Sequence, residues 1–106
     1  MATYKVLAQS APSAATATTL YTSSSAVIVS TLNAANIGGT QDTIRVAVRP
    51  AGAALANQHY IAYGVPLAAG SVFSIQGGLT LASTDVITVY STTGNTSFSA
   101  FGSEGN

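Results

Sequence analysis

The chain has 106 residues, room for one domain with one hydrophobic core, and carries only six charged side chains, Lys5, Asp42, Arg45, Arg49, Asp85 and Glu104, for a net charge of zero. Such a surface has no basic field to gather phosphates or hold an anionic membrane, so electrostatics argues against nucleic acid and membrane as partners. The lack of Cys removes disulfides, thiolate metal sites and cysteine nucleophiles, and because Ala, Ser and Thr fill 46 positions the core must come from scattered Val, Ile, Leu, Tyr and Phe.

Along the chain the apolar residues alternate with period two, and no segment shows a helical face of useful length. "TYKVLAQ" sets Tyr4, Val6 and Ala8 opposite Lys5 and Leu7. The Ala/Ser/Thr-rich run "SAPSAATATTLYTSSS" (10–25) reads as an extended arm or a crossing connection, anchored by Leu20 and Tyr21. "SAVIVSTLN" is rich in β-branched residues and suits a strand buried on both faces. After the "IGGT" turn (37–40), "TIRVAVR" points Ile44, Val46 and Val48 one way and Arg45, Ala47 and Arg49 the other. "PAG" (50–52) turns the chain toward "HYIAY" (59–63). "AAG" (68–70) precedes "SVFSIQ" (71–76), and "QGG" (76–78) reads as the turn that ends it. "DVITVYS" (85–91) and "TSFSAF" (96–101) flank "TTGN", which reads as a hairpin loop.

These seven or eight short strands predict a single all-β domain over 1–106, an antiparallel β-sandwich of immunoglobulin-like or jelly-roll-like form. Strand order is open at this level. The expected core positions are Ile44, Val46, Val48, Ile75, Val86 and Phe98.

Catalytic arrangements find few parts. His59 is the one histidine, so a hydrolytic triad would have to be built on it; within "NQHYIAY" it reads as a half-exposed strand residue. One histidine and three separated acids do not assemble a four-ligand zinc shell or a carboxylate-rich calcium loop. Asp42 and Asp85 stand where carboxylates accept turn N–H groups, and Glu104 falls in the tail, which leaves no glycosidase pair. Neither glycine pair leads into a helix or a "GK[ST]" sequence, so no phosphate loop is present. "NTS" (95–97) fits the glycosylation sequon but sits in the expected hairpin. No cofactor, no metal and no enzymatic activity are expected. The N-terminus lacks the apolar run of a signal peptide, and no window approaches the roughly 18 apolar residues of a membrane span, so a soluble chain made in a cytoplasm is expected.

Charged residues make up 6% of the chain, against about a quarter in an average domain. The surface reads as one built to be covered by neighbours; a Ser/Thr-rich soluble monomer is the alternative. Arg45 and Arg49 share a strand face about 13 Å apart at 3.3 Å per residue, too wide to grip one carboxylate together. They serve either as planar donors at a protein interface or as solvated residues on an outer sheet face.

The segments "MATYKVLAQSAP", "RVAVRPAGAALANQHYIAY", "LTLASTDVITVYS" and "SFSAFGSE", in that order, resemble a family of small virion structural proteins of tailed bacteriophages, many from phages of cyanobacteria. The resemblance spans nearly the whole chain and includes no catalytic motif. It implies a non-enzymatic component of a virion assembled in the host cytoplasm: a head decoration (cement) protein binding the major capsid protein as a dimer or trimer, or a neck or tail accessory protein. Arg45, Arg49, Leu20, Tyr21, Tyr60 and Tyr63 are the candidate interface residues. A carbohydrate-binding module is a further alternative; it would use Tyr60 and Tyr63, since the chain has no Trp.

Overall fold

Among the described residues, alternating apolar residues fold into eight strands: β1 (Thr3–Ser10), β2 (Thr18–Thr22), β3 (Val27–Asn36), β4 (Asp42–Arg49), β5 (Tyr60–Leu67), β6 (Val72–Leu81), β7 (Val86–Ser91) and β8 (Thr96–Glu104). The computed structural model describes residues 3–104. Its only helical pieces there are single 3-10 turns at Pro50–Gly52 and Asn57–His59.

The strands form two four-stranded sheets, a first sheet in the order β1-β8-β3-β6 and a second in the order β2-β7-β4-β5. β1 pairs with β8, β2 with β7, β3 with β6 and β4 with β5, all antiparallel. The chain is therefore one long ribbon doubled back at the loop 50–59 and wrapped so that β3 also meets β8 and β4 also meets β7. This is the jelly roll, and it decides between the two expected sandwich types.

The "TTGN" segment is no hairpin loop: β7 lies in the second sheet and β8 in the first, so it crosses between the sheets. Only β4 and β5 are consecutive strands that pair with each other. "QGG" likewise ends nothing, because β6 runs through it to Leu81. Gly78 takes φ +79° there, where the β3–β6 register slips between Val29 and Thr31. A β-bulge of this kind needs the left-handed backbone that glycine adopts without strain.

The run 10–25 is a crossing connection rather than a free arm, and it contributes β2 to the edge of the second sheet. Leu20 is buried in the core and Tyr21 packs against it. The short strand on which they stand thus commits Leu20 to closing the sandwich, while Tyr21, only partly buried, keeps part of its ring at the surface.

The core joins Val27, Val29, Leu32 and Phe98 of the first sheet to Ile44, Val46, Ile87 and Val89 of the second. Ile44, Val46 and Phe98 stand where the pattern put them, while Val48 and Ile75 pack at the margin. Val86 is buried but outside this cluster. It lies opposite Arg49 on the outer side of the second sheet, close to Gly52 in the 50–52 turn. β3 is buried on one face only, since Ile28 is 50% exposed between buried Val27 and Val29.

Candidate interaction surfaces

Both ends of the sandwich are closed by polar groups. At the end formed by the loops 11–17, 37–41, 68–71 and 92–95, Asp42 is 1% exposed. Its carboxylate accepts the Ser91 and Thr96 hydroxyls together with the N–H groups of Thr43 (2.7 Å) and Thr93 (3.0 Å). Burial raises the carboxyl, but these four bonds outweigh it and bring the pKa down from 3.8 to about 2. Beside it, buried Asn36 donates to the carbonyls of Thr40 (2.8 Å) and Leu67 (2.9 Å) and accepts the Gly38 N–H (3.0 Å). The expectation that Asp42 caps a turn holds; the pattern did not reveal how deeply it is buried.

At the opposite end Asp85 accepts the N–H groups of Ala51 and Ala82, both at 2.9 Å, and these bonds hold its carboxyl below the usual range. Glu104 is the third acid, and sequence reasoning missed its role by leaving it in the tail. It lies at the end of β8, paired with Lys5 of β1 at 2.7 Å, and accepts the hydroxyl of Tyr21 from β2. This clasp ties the two sheets together. The Lys5 and Tyr21 bonds hold Glu104 below the usual range, while burial, then the hydrogen bond and charge of Glu104, push the Tyr21 phenol up to about 12. Only the tertiary pairing of the two chain ends brings residues 5, 21 and 104 together.

His59 is neither half-exposed nor on a strand. It is buried at the end of the Asn57–His59 turn, where its Nδ1 accepts the Ala56 N–H at 3.1 Å and its own N–H donates to the Ala56 carbonyl at 3.0 Å. That reciprocal pair makes it a loop staple. Among the described residues no three His, Asp or Glu side chains converge on a point that could hold a metal ion.

Two outer sheet faces remain. On the first sheet, Tyr4, Ile28 and Phe101 surround an open depression of about 480 Å³, with Ser30, Gly102 and Ser103 between them. The register continues this face through Ser97, Ser99, Thr31, Asn33, Ser74 and Gln76. The one charged group at its margin, Lys5, is held by Glu104.

The outer face of the second sheet is aromatic and basic. In one cross-strand row, Tyr63 of β5 and Tyr90 of β7 flank Arg45 of β4. Its guanidinium carbon lies 4.5 Å from the Tyr63 ring centroid and 4.4 Å from that of Tyr90. Tyr60 meets Tyr63 edge to face at 4.8 Å, and both line a depression of about 470 Å³ with Asn57. Arg49 is committed differently: its Nε donates to the Thr88 hydroxyl at 3.0 Å and an Nη to the Ala53 carbonyl at 3.1 Å. The structure thus gathers Arg45, Tyr60 and Tyr63 into one patch and turns Arg49 toward the 50–59 loop. Tyr90 was not anticipated, because nothing in "DVITVYS" shows that β7 will lie beside β4.

No protein-family model matches the chain, and no curated protein or solved structure shows significant similarity to it.

Proposed function

We propose that this chain is a non-enzymatic structural subunit of a phage particle, a decoration protein that binds the major capsid protein on the outside of the head and holds neighbouring coat subunits together. The observation that carries this reading is an eight-stranded jelly roll whose first sheet presents, among the described residues, an outer face without an unpaired charged side chain. Jelly rolls recur in viral capsid domains. Laying a neutral Ser/Thr face against a neighbour strips no ion of its water, so close contact meets little desolvation penalty. That face is the surface for self-association into a dimer or trimer. An oligomer seated on a symmetry axis of the shell repeats its contacts on every side, and linked contacts bind at high effective concentration.

The test measures the solution mass of the purified protein, its binding to heads that lack it, and the heat resistance of those heads with and without it. A dimer or trimer that binds and raises the disruption temperature is expected. A monomer without affinity for heads, or density found only at the neck or tail, rejects the decoration role. The perpendicular Tyr60–Tyr63 pair favours one second reading, a carbohydrate-binding module, which predicts saturable binding of neutral oligosaccharides lost in Tyr63→Ala.

A further inference from the structure

We infer that the Tyr63–Arg45–Tyr90 row is a receptor for a carboxylate side chain supplied by a different protein. A guanidinium is a planar fork of five N–H groups, and here its central carbon lies over two tyrosine rings, 4.5 and 4.4 Å from their centroids. No described residue forms an ion pair with Arg45, since the one ion pair among them is Lys5–Glu104. Among the described residues no side-chain nitrogen is buried without a hydrogen-bond partner. The free N–H groups of Arg45 therefore face solvent.

Contact with two rings also limits the rotamer freedom that an exposed arginine loses on binding, so the fork is partly pre-organised. The complement of a planar fork is a planar oxyanion, and a carboxylate meets it with two parallel N–H···O bonds. The site lies on a sheet face flanked by aromatic rings. Clustered Arg and Tyr are the residue types that dominate protein interfaces, whereas small ligands prefer enclosed pockets. A protein side chain is therefore the occupant that fits.

A second copy of this chain has no free carboxylate among its described residues to offer. Asp42 is buried with four hydrogen bonds, Asp85 holds the Ala51 and Ala82 N–H groups, and Glu104 holds Lys5 and Tyr21. With all three of its acidic side chains engaged, a second copy offers no free carboxylate side chain, and the proposed occupant is one from another protein. That this protein is the coat subunit rests on the proposed function; that the site takes a carboxylate does not.

The experiment has two arms, chosen to separate those statements. In the first, the side-chain Nε–H resonance of Arg45 is followed by NMR while sodium acetate is added at constant ionic strength, with Arg49 as internal reference and sodium chloride as control. A saturable shift at Arg45 alone is expected; no shift, or equal shifts at both arginines, overturns the carboxylate site. In the second, wild type, Arg45→Ala and Arg45→Lys are bound to heads lacking the protein, with the thermal midpoint of each variant as fold control. Both variants are expected to bind at least about tenfold more weakly at unchanged midpoint, and the dependence of binding on salt is expected to flatten. Arg45→Lys fails with Arg45→Ala because a point charge replaces the fork. Wild-type binding that both variants retain overturns the docking role. If wild type does not bind heads while acetate shifts Arg45, the coat subunit is excluded as the source and the carboxylate site stands.

Discussion

Asp42 sets the acid limit of the fold. Its folded pKa, about 2, lies below the unfolded 3.8, so its contribution is fully present above about pH 4 and is lost as pH falls through 2. Asp42→Asn keeps the shape and the one oxygen, Oδ1, that accepts both the Thr43 and Thr93 N–H groups, but loses the charged Oδ2 to which the Ser91 and Thr96 hydroxyls donate. A cost of about 1–3 kcal/mol at pH 7 is expected, with a shallower decline toward pH 2 than in wild type. Urea unfolding at pH 7, 4 and 2.5 measures both; parallel profiles for the two proteins contradict the assignment. Tyr21 sets a limit at the other extreme. Its phenol is raised from 10.0 to about 12 by burial and Glu104, so the folded state favours the protonated form. The stability from that preference is complete below pH 10 and is lost as pH rises toward 12. In ultraviolet titration of the folded protein, one tyrosine is expected to ionise near 12, and Tyr21→Phe removes that step; a step that survives the substitution assigns it to another ring.

Strand pairing depends on backbone approach as much as on side chains. Gly102 of β8 lies where β3 bulges, and a Cβ there would stand 2.0 Å from the Ile28 carbonyl oxygen and 2.9 Å from the Val29 Cα. These are backbone atoms of the neighbouring strand and cannot rotate away. Gly102→Ala is expected to cost at least about 2 kcal/mol and to loosen the β3–β8 ladder locally, read as faster amide hydrogen exchange at residues 28–31. Wild-type stability and exchange in this variant contradict the close packing. At the level of single elements much was legible in the sequence. β4 points Ile44 and Val46 inward and Arg45 and Arg49 outward, as period-two alternation requires. What local pattern missed is equally specific: β2 hides in an Ala/Ser/Thr run, and β6 continues through glycines that resemble a turn. Short strands of small residues carry little hydrophobic contrast, and a glycine marks a bulge and a chain reversal with the same letter.

For the whole molecule the topology dictates slow assembly. β1 pairs with β8 and β2 with β7, so most of the ladder forms only after the two ends of the chain have met, and the β4–β5 pair alone is local. Loop closure must be completed before those contacts stabilise anything. Refolding from urea is expected on the millisecond-to-second scale. A relaxation in microseconds contradicts the long-range pairing. Phe98→Ala, at a fully buried residue on β8, is expected to cost about 3–5 kcal/mol, measured by the same unfolding experiment.

The division between sequence and tertiary structure follows from the range of the forces involved. The identity of the strongly alternating strands, the inward and outward sides of a strand such as β4, the scarcity of charge and the absence of thiol chemistry are properties of neighbouring residues and of composition, so the chain states them locally. Which strand lies beside which is decided by contacts between residues up to a hundred positions apart, and no local period encodes them. The same is true of the sites. Arg45 could be read from the sequence as an outward arginine, but its clamp needs Tyr63 and Tyr90 from two other strands. Glu104 becomes a clasp only when β8 returns between β1 and β3 to bring it to Lys5 and Tyr21, because an ion pair or a stacked ring acts over a few ångströms whatever the separation along the chain.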